Sequence, residues 1–264
     1  MKTLERLMHG HGFLWLTFFV AVLAAWGALF VMQVQVAAPA DWSNPGMAAF
    51  LQLCTGLAAE TGYASAMLMW SLMALAMMAP TAFPAFRTYS DLTRTNAASA
   101  LSLAVLVAGY MTVWLGFSAL AALLQIRLSA LELLWPLGRS ASPALSGALL
   151  VLAGLYQFSS LKAACLSACQ SPMAFFIGHW RPGTAGALRL GLRLGAVCLG
   201  CCWALMLLAF VGGTMNLTFM GLAMVLMTLE KLPQIGSKIS APLGVFLLLA
   251  GAVVIALPLL TTII

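Results

Sequence analysis

Five of the six cysteines fall in two groups, Cys165-x-x-x-Cys169 and Cys198-x-x-Cys201-Cys202, while Cys54 stands alone. Residues three and four apart share one face of a helix, so Cys198, Cys201, Cys202 and Met206 form a single stripe. A second run of sulfurs reads Met67-Leu68-Met69-Trp70-Ser71-Leu72-Met73-Ala74-Leu75-Ala76-Met77-Met78. Its Met69, Met73 and Met77 are spaced i, i+4, i+8 on a slowly drifting face, with Met78 alongside. Met220, Met224 and Met227 add a third run that ends near Glu230. Thiolate and thioether are soft ligands that together favour Cu(I), whereas thiolate alone also suits zinc and iron–sulfur clusters. The candidate ligands are therefore Cys165, Cys169, Cys198, Cys201, Cys202, Met73, Met77 and Met78. His179 can add an imidazole, and His9 and His11 form a weaker pair.

Packing is the competing explanation for these sulfurs, because Met and free Cys are both common in apolar interiors. It accounts for any one Met run more readily than for three cysteines within five residues and two more nearby. Disulfides are not expected. Helical neighbours three or four apart hold their Cβ atoms about 5–6 Å apart, and a bridge needs about 3.5–4.5 Å.

The elements that position these residues follow from composition. Of 264 residues, 63% are hydrophobic and 7% are charged, against about 45–50% and about 25% in soluble domains. This excludes a water-soluble enzyme and a disordered chain. Long unbroken apolar runs exclude an outer-membrane barrel. The expected fold is all-α and polytopic, one transmembrane domain over residues 1–264. A ruler of about 20 apolar residues per span places seven candidates near 13–36, 63–83, 98–124, 143–160, 193–212, 214–231 and 241–262. Met47 to Ala59 is too short to cross and is expected at the outer surface. Ala38-Pro39-Ala40 resembles a cleavage site, but the preceding apolar run exceeds the 7–15 residues of a signal core, so the first span is read as a retained anchor.

The net charge of +6 comes from 12 basic and 6 acidic residues. Lys2, Arg6, Arg87, Arg94, Lys162, Arg181, Arg189, Arg193, Lys231 and Lys238 fall on one side of this map, and Arg127 and Arg139 on the other. The positive-inside bias then puts the N-terminus in the cytoplasm. The charge is thus read as orientation, and nucleic acid is not an expected partner. Cys198, five residues past Arg193, is expected about 7–8 Å into its helix at about 1.5 Å per residue.

Residues 161–192 form the longest cytoplasmic segment on this map and carry the Cys165–Cys169 pair. Pro172 is expected to end the helix bearing that pair and to begin a short apolar one. Phe175, Phe176 and Trp180 suit the headgroup level. Gly191-x-x-x-Gly195 and the pair Gly147 and Gly154 are read as close helix contacts. Glu230 is the one carboxylate placed at or within a span, which makes it a functional candidate.

These residues resemble a family of bacterial integral membrane proteins described as predicted metal-binding, a domain of unknown function sometimes labelled copper chaperone. The resemblance rests on Met69-Trp70-x-x-Met73-x-x-x-Met77-Met78-x-Pro80-Thr81, on Cys165-Leu166-x-x-Cys169-x-x-Pro172 with His179-Trp180-Arg181-Pro182-Gly183, and on Cys198-x-x-Cys201-Cys202-Trp203-x-x-Met206. Gly212-Gly213-x-Met215-Asn216 and Glu230-Lys231 extend it. It implies metal handling, with copper as the cargo. One departure is that Ser167, Ala168 and Gln170 stand where basic residues are usual around the first cysteine pair.

Three functions are compatible with the sequence. The leading one binds Cu(I) near the cytoplasmic end of the bundle for delivery or transport, with the lipid bilayer and a copper donor or acceptor protein or membrane complex as partners. The second is a membrane thiol oxidoreductase working with quinone. The third is a structural or assembly subunit of a membrane complex. No phosphate loop, H-E-x-x-H or Ser-His-Asp constellation is present, so enzyme activity is not the expectation.

Overall fold

A computed structural model describes residues 11–37, 62–93, 99–135 and 138–261. Cys54, His9, the 38–40 site and the 47–59 stretch lie outside the described residues. The described chain is helical: α1 (His11–Ala37), α2 (Tyr63–Met73), a π-helical turn (Ala74–Met78), α3 (Ala79–Thr93), α4 (Ala100–Ala130), α5 (Pro143–Gln157), α6 (Ser160–Gln170), α7 (Pro172–His179), α8 (Gly183–Leu207), α9 (Ala209–Gly212), α10 (Leu217–Glu230) and α11 (Gly236–Thr261).

All seven apolar segments of the sequence are helical, which makes the fold the expected all-α polytopic one. They do not all cross on the same terms. Five are long and apolar enough to span: Leu14–Gln33, Tyr63–Leu92, Ala100–Ala130, Gly183–Gly212 and Lys238–Leu257. The fourth segment is a bent pair, α5 and α6, meeting at 65°. The sixth, α10, has 14 residues and reaches only about 21 Å at about 1.5 Å per residue, short of a core of about 30 Å. The helix expected to carry the Cys165–Cys169 pair and to end before Pro172 is α6, and it packs along α8. Two short elements thus end inside the bundle, which is where polar groups can be brought to membrane depth without facing lipid.

The end of α1, the start of α2, the end of α4 and the α9–α10 turn meet around one cavity lined by Met32, Gly62, Ser129, Gly138 and Met215. The up-and-down order is therefore the expected one for these helices. α8 begins at Gly183 rather than near 193, because the exposed Arg189 and Arg193 extend it beyond its apolar part. Cys198 is thus mid-helix, yet still only five residues beyond the last of those arginines.

The glycine readings hold. A Cβ at Gly109 would lie 2.8 Å from the Leu188 carbonyl, and one at Gly195 2.9 Å from Val113 Cβ and 3.0 Å from the Tyr110 carbonyl. Across the α5–α11 contact, Gly154 would meet Leu248 at 2.8 Å and Gly251 would meet Val151 at 2.8 Å. These contacts hold α4 against α8 backbone to backbone. Gly195→Val is expected to lower stability by about 1–3 kcal/mol through overpacking. Thermal unfolding of the detergent-solubilised protein measures this effect, and an unchanged melting temperature contradicts the contact.

Candidate metal centre

The π-helical turn before Pro80 shapes one wall of the site. Proline brings no N–H to the ladder, so the Ala76 carbonyl lacks its usual donor, and Trp26 Nε1 donates to it at 3.0 Å. The hydrogen bonds of the π turn close over five residues instead of four, which shifts the residues after Met73 out of α-helical register. Met78 is the methionine that meets the cysteines, with Cys202 Sγ 3.7 Å from its Sδ. Met73 and Met77 are buried in the core at 1% and 2% exposure.

On α8 the expected stripe is present and buried. The thiols of Cys201 and Cys202 both donate to the Cys198 carbonyl at 3.0 Å, and the three sulfurs of Cys198, Cys201 and Cys202 lie within 4.8 Å of one another. Two sulfurs bound to one ion at about 2.3 Å each, the Zn–S length, are at most about 4.6 Å apart. The cluster is therefore near the spacing for a shared ion without backbone movement. All five described cysteines are free thiols.

The other cysteine pair arrives on α6. Cys169 shares with Cys198 a cavity of about 260 Å³, close enough to interact electrostatically with Cys198 and Cys201. Cys165 rests on Gly200, where an added Cβ would meet its Sγ at 2.6 Å. Tyr156, from α5, donates to the Gly200 carbonyl on the same face. The two cysteine groups, about thirty residues apart in sequence, thus lie on the two helices of one packed contact. His179 is exposed, its Nδ1 2.9 Å from the Phe175 carbonyl and its ring stacked 5.0 Å from that of Phe175. The structure does not bring it to the sulfurs.

Tyr110, Thr81 and Lys231, none of which the sequence reading offered as a ligand, complete the centre. Tyr110 of α4 places its hydroxyl 3.0 Å from both Cys198 Sγ and the Met78 carbonyl. Lys231 Nζ donates to Cys198 Sγ at 3.1 Å and to Thr81 Oγ1 at 2.6 Å. Thr81 in turn donates to the Met78 carbonyl at 3.0 Å. Lys162 pairs with Glu230 at 2.8 Å, with side chains 2% exposed on each side, and Ser240 Oγ donates to the same carboxylate at 3.0 Å. Gln170 Nε2 donates to the Glu230 carbonyl at 2.8 Å. The first and last turns of α6 are therefore both tied to one residue at the end of α10. The sequence placed Lys162 and Lys231 as orienting charges, Lys231 also within the Glu230-Lys231 motif, and nothing in their spacing shows that one reaches a carboxylate and the other a thiol.

No curated protein and no solved structure matches the chain. The profile of the copper chaperone family PpoB2 matches residues 67–254, a stretch holding all five clustered cysteines, Met78, Tyr110, Glu230 and Lys231. The chain belongs to that family.

Proposed function

We infer that this protein binds copper as Cu(I) at the thiol cluster of α8 and passes it on by exchange between sulfurs. The observation that carries this is the convergence of Cys198, Cys201 and Cys202 within 4.8 Å, with Cys169 from α6 and the Met78 thioether against them. A thioether is a poor ligand for zinc and a good one for cuprous copper, so the mixed set favours the monovalent ion. Each cysteine that binds gives up its proton. With three sulfurs so close, an incoming thiolate engages the ion before the outgoing one leaves, and copper is never released as a free ion.

Cys165 and Cys169 act in this reading as the receiving pair, and Met78, Met77 and Met73 continue the route into the bundle. The basic-residue distribution supports an N-in orientation in a bacterial inner membrane, with the thiols toward the reducing compartment. The test is a Cu(I) competition titration of the purified protein against a chromogenic chelator, with X-ray absorption of the loaded form. Expected is one tightly bound ion with only sulfur neighbours. Failure to compete, or nitrogen and oxygen in the first shell, contradicts the reading. Met78→Leu removes a thioether while preserving volume, and is expected to weaken binding about tenfold, about 1.4 kcal/mol, with little change in melting temperature.

A further inference from the structure

Lys231 stands at the rim of the thiol cluster without a carboxylate. Glu230, beside it in sequence, is committed to Lys162 and Ser240, and Lys162–Glu230 is the only salt bridge among the described residues. The Lys231 ammonium instead touches Thr81 and Cys198. It lines the 260 Å³ cavity together with Cys169, Cys198, Tyr110 and Gln170. Anything reaching Cys169 and Cys198 through that cavity passes beside a positive charge. That is the wrong sign to attract a free copper cation. It is the right sign for copper carried by thiolates, because Cu(I) with two thiolates bears one net negative charge.

We propose that the form of copper accepted here is an anionic cuprous bis-thiolate, and that Lys231 selects it and compensates its charge throughout the transfer. This rests on the Cu(I) reading above and names its substrate. The exchange balances without a redox step. Cys198 or Cys169 sulfur forms a bond to the ion as one donor thiolate leaves, and the cysteine proton goes to that thiolate. A second exchange releases the other donor thiol. Copper stays monovalent, and the starting complex, the mixed intermediate and the product are all bis-thiolates of charge minus one. One ammonium therefore neutralises every stage, which matters because an uncompensated charge is costly in a desolvated site. At about 30 Å³ per water the cavity holds about nine waters, room for a small thiol or for cysteine side chains on a narrow peptide segment.

The experiment follows copper uptake by the full chain from three donors: Cu(I)–glutathione, a Cu(I)-loaded Cys-x-x-Cys peptide, and cationic Cu(I)–acetonitrile. For K231M and K231Q, uptake from the two thiolate donors is expected to slow at least tenfold more than uptake from the acetonitrile complex. K231R is expected to match the unmodified protein. The faster thiolate donor identifies the source as a small thiol or a protein segment. With no substitution at all, rising salt is expected to slow uptake from an anionic donor and not from the cationic one, because screening weakens long-range attraction. Equal slowing from all three donors, or salt-insensitive uptake from the anionic ones, overturns the proposal by reducing Lys231 to a structural role. Unmodified protein that takes copper from none of the donors overturns the Cu(I) reading itself.

Discussion

Cys198→Ser is expected to lower Cu(I) affinity at least a hundredfold, about 2.7 kcal/mol, in a chelator competition with the purified protein. Cys198 is the hub of the cluster. Its sulfur is touched by Lys231 and Tyr110, its carbonyl receives the thiols of Cys201 and Cys202, and Cys169 approaches it from α6. Serine keeps the shape of the side chain and the contact to Lys231 but replaces a soft donor by a hard, weakly acidic hydroxyl, a poor partner for a soft ion. Cys201→Ser and Cys202→Ser each leave Cys198 with another thiol nearby and are expected to cost less, about tenfold. Equal losses at all three positions would show instead a site without a hub, and unchanged affinity in Cys198→Ser would remove the cluster as the binding site.

The second large effect is on stability and on access. Glu230→Gln removes the carboxylate that neutralises Lys162, which is 1% exposed. Leaving one partner of a buried ion pair uncompensated costs about 3–5 kcal/mol, whereas replacing both by apolar residues of similar volume is often neutral. Glu230→Gln and Lys162→Met are therefore each expected to lower the thermal unfolding midpoint in detergent, and the Lys162→Met/Glu230→Leu pair to recover most of the loss. The same change loosens one of the two ties that hold α6 against α10, so alkylation of Cys165 and Cys169 is expected to quicken several-fold while Cys201 and Cys202, on α8, stay slow. If alkylation of the α6 thiols were unaffected, the ion pair would stabilise the bundle without holding the receiving pair in place.

Much of this was legible in the residues because bilayer burial leaves a coarse signal. Apolar length identified the seven longer apolar segments, each of them helical, and the period of 3.6 put Cys198, Cys201 and Cys202 on one stripe, as found. Pro172 ended α6 and began α7 as its geometry requires. The π turn at Ala74–Met78 was not legible, because an extra residue in one turn depends on whether neighbouring groups such as Trp26 and Tyr110 take up the freed carbonyls. Apolar length also could not tell a spanning helix from a bent pair, since α5 and α6 together have the composition of a span and differ from one only in the 65° between them.

By itself the sequence determined the class of the protein and the stripes on which its sulfurs lie. Too little charge for a water-facing surface leaves only a membrane bundle, and residues three or four apart share a helix face whatever the fold. The tertiary structure decided which sulfurs form one site, and which charges serve it. Cys169 meets Cys198 only because α6 folds back along α8 on Gly200. Lys231 meets Cys198 only because α10 stops about 21 Å from its start, at 14 residues of about 1.5 Å each. Such meetings depend on where helices end and how closely their backbones approach, and these are properties of the packed bundle that no spacing along one helix encodes.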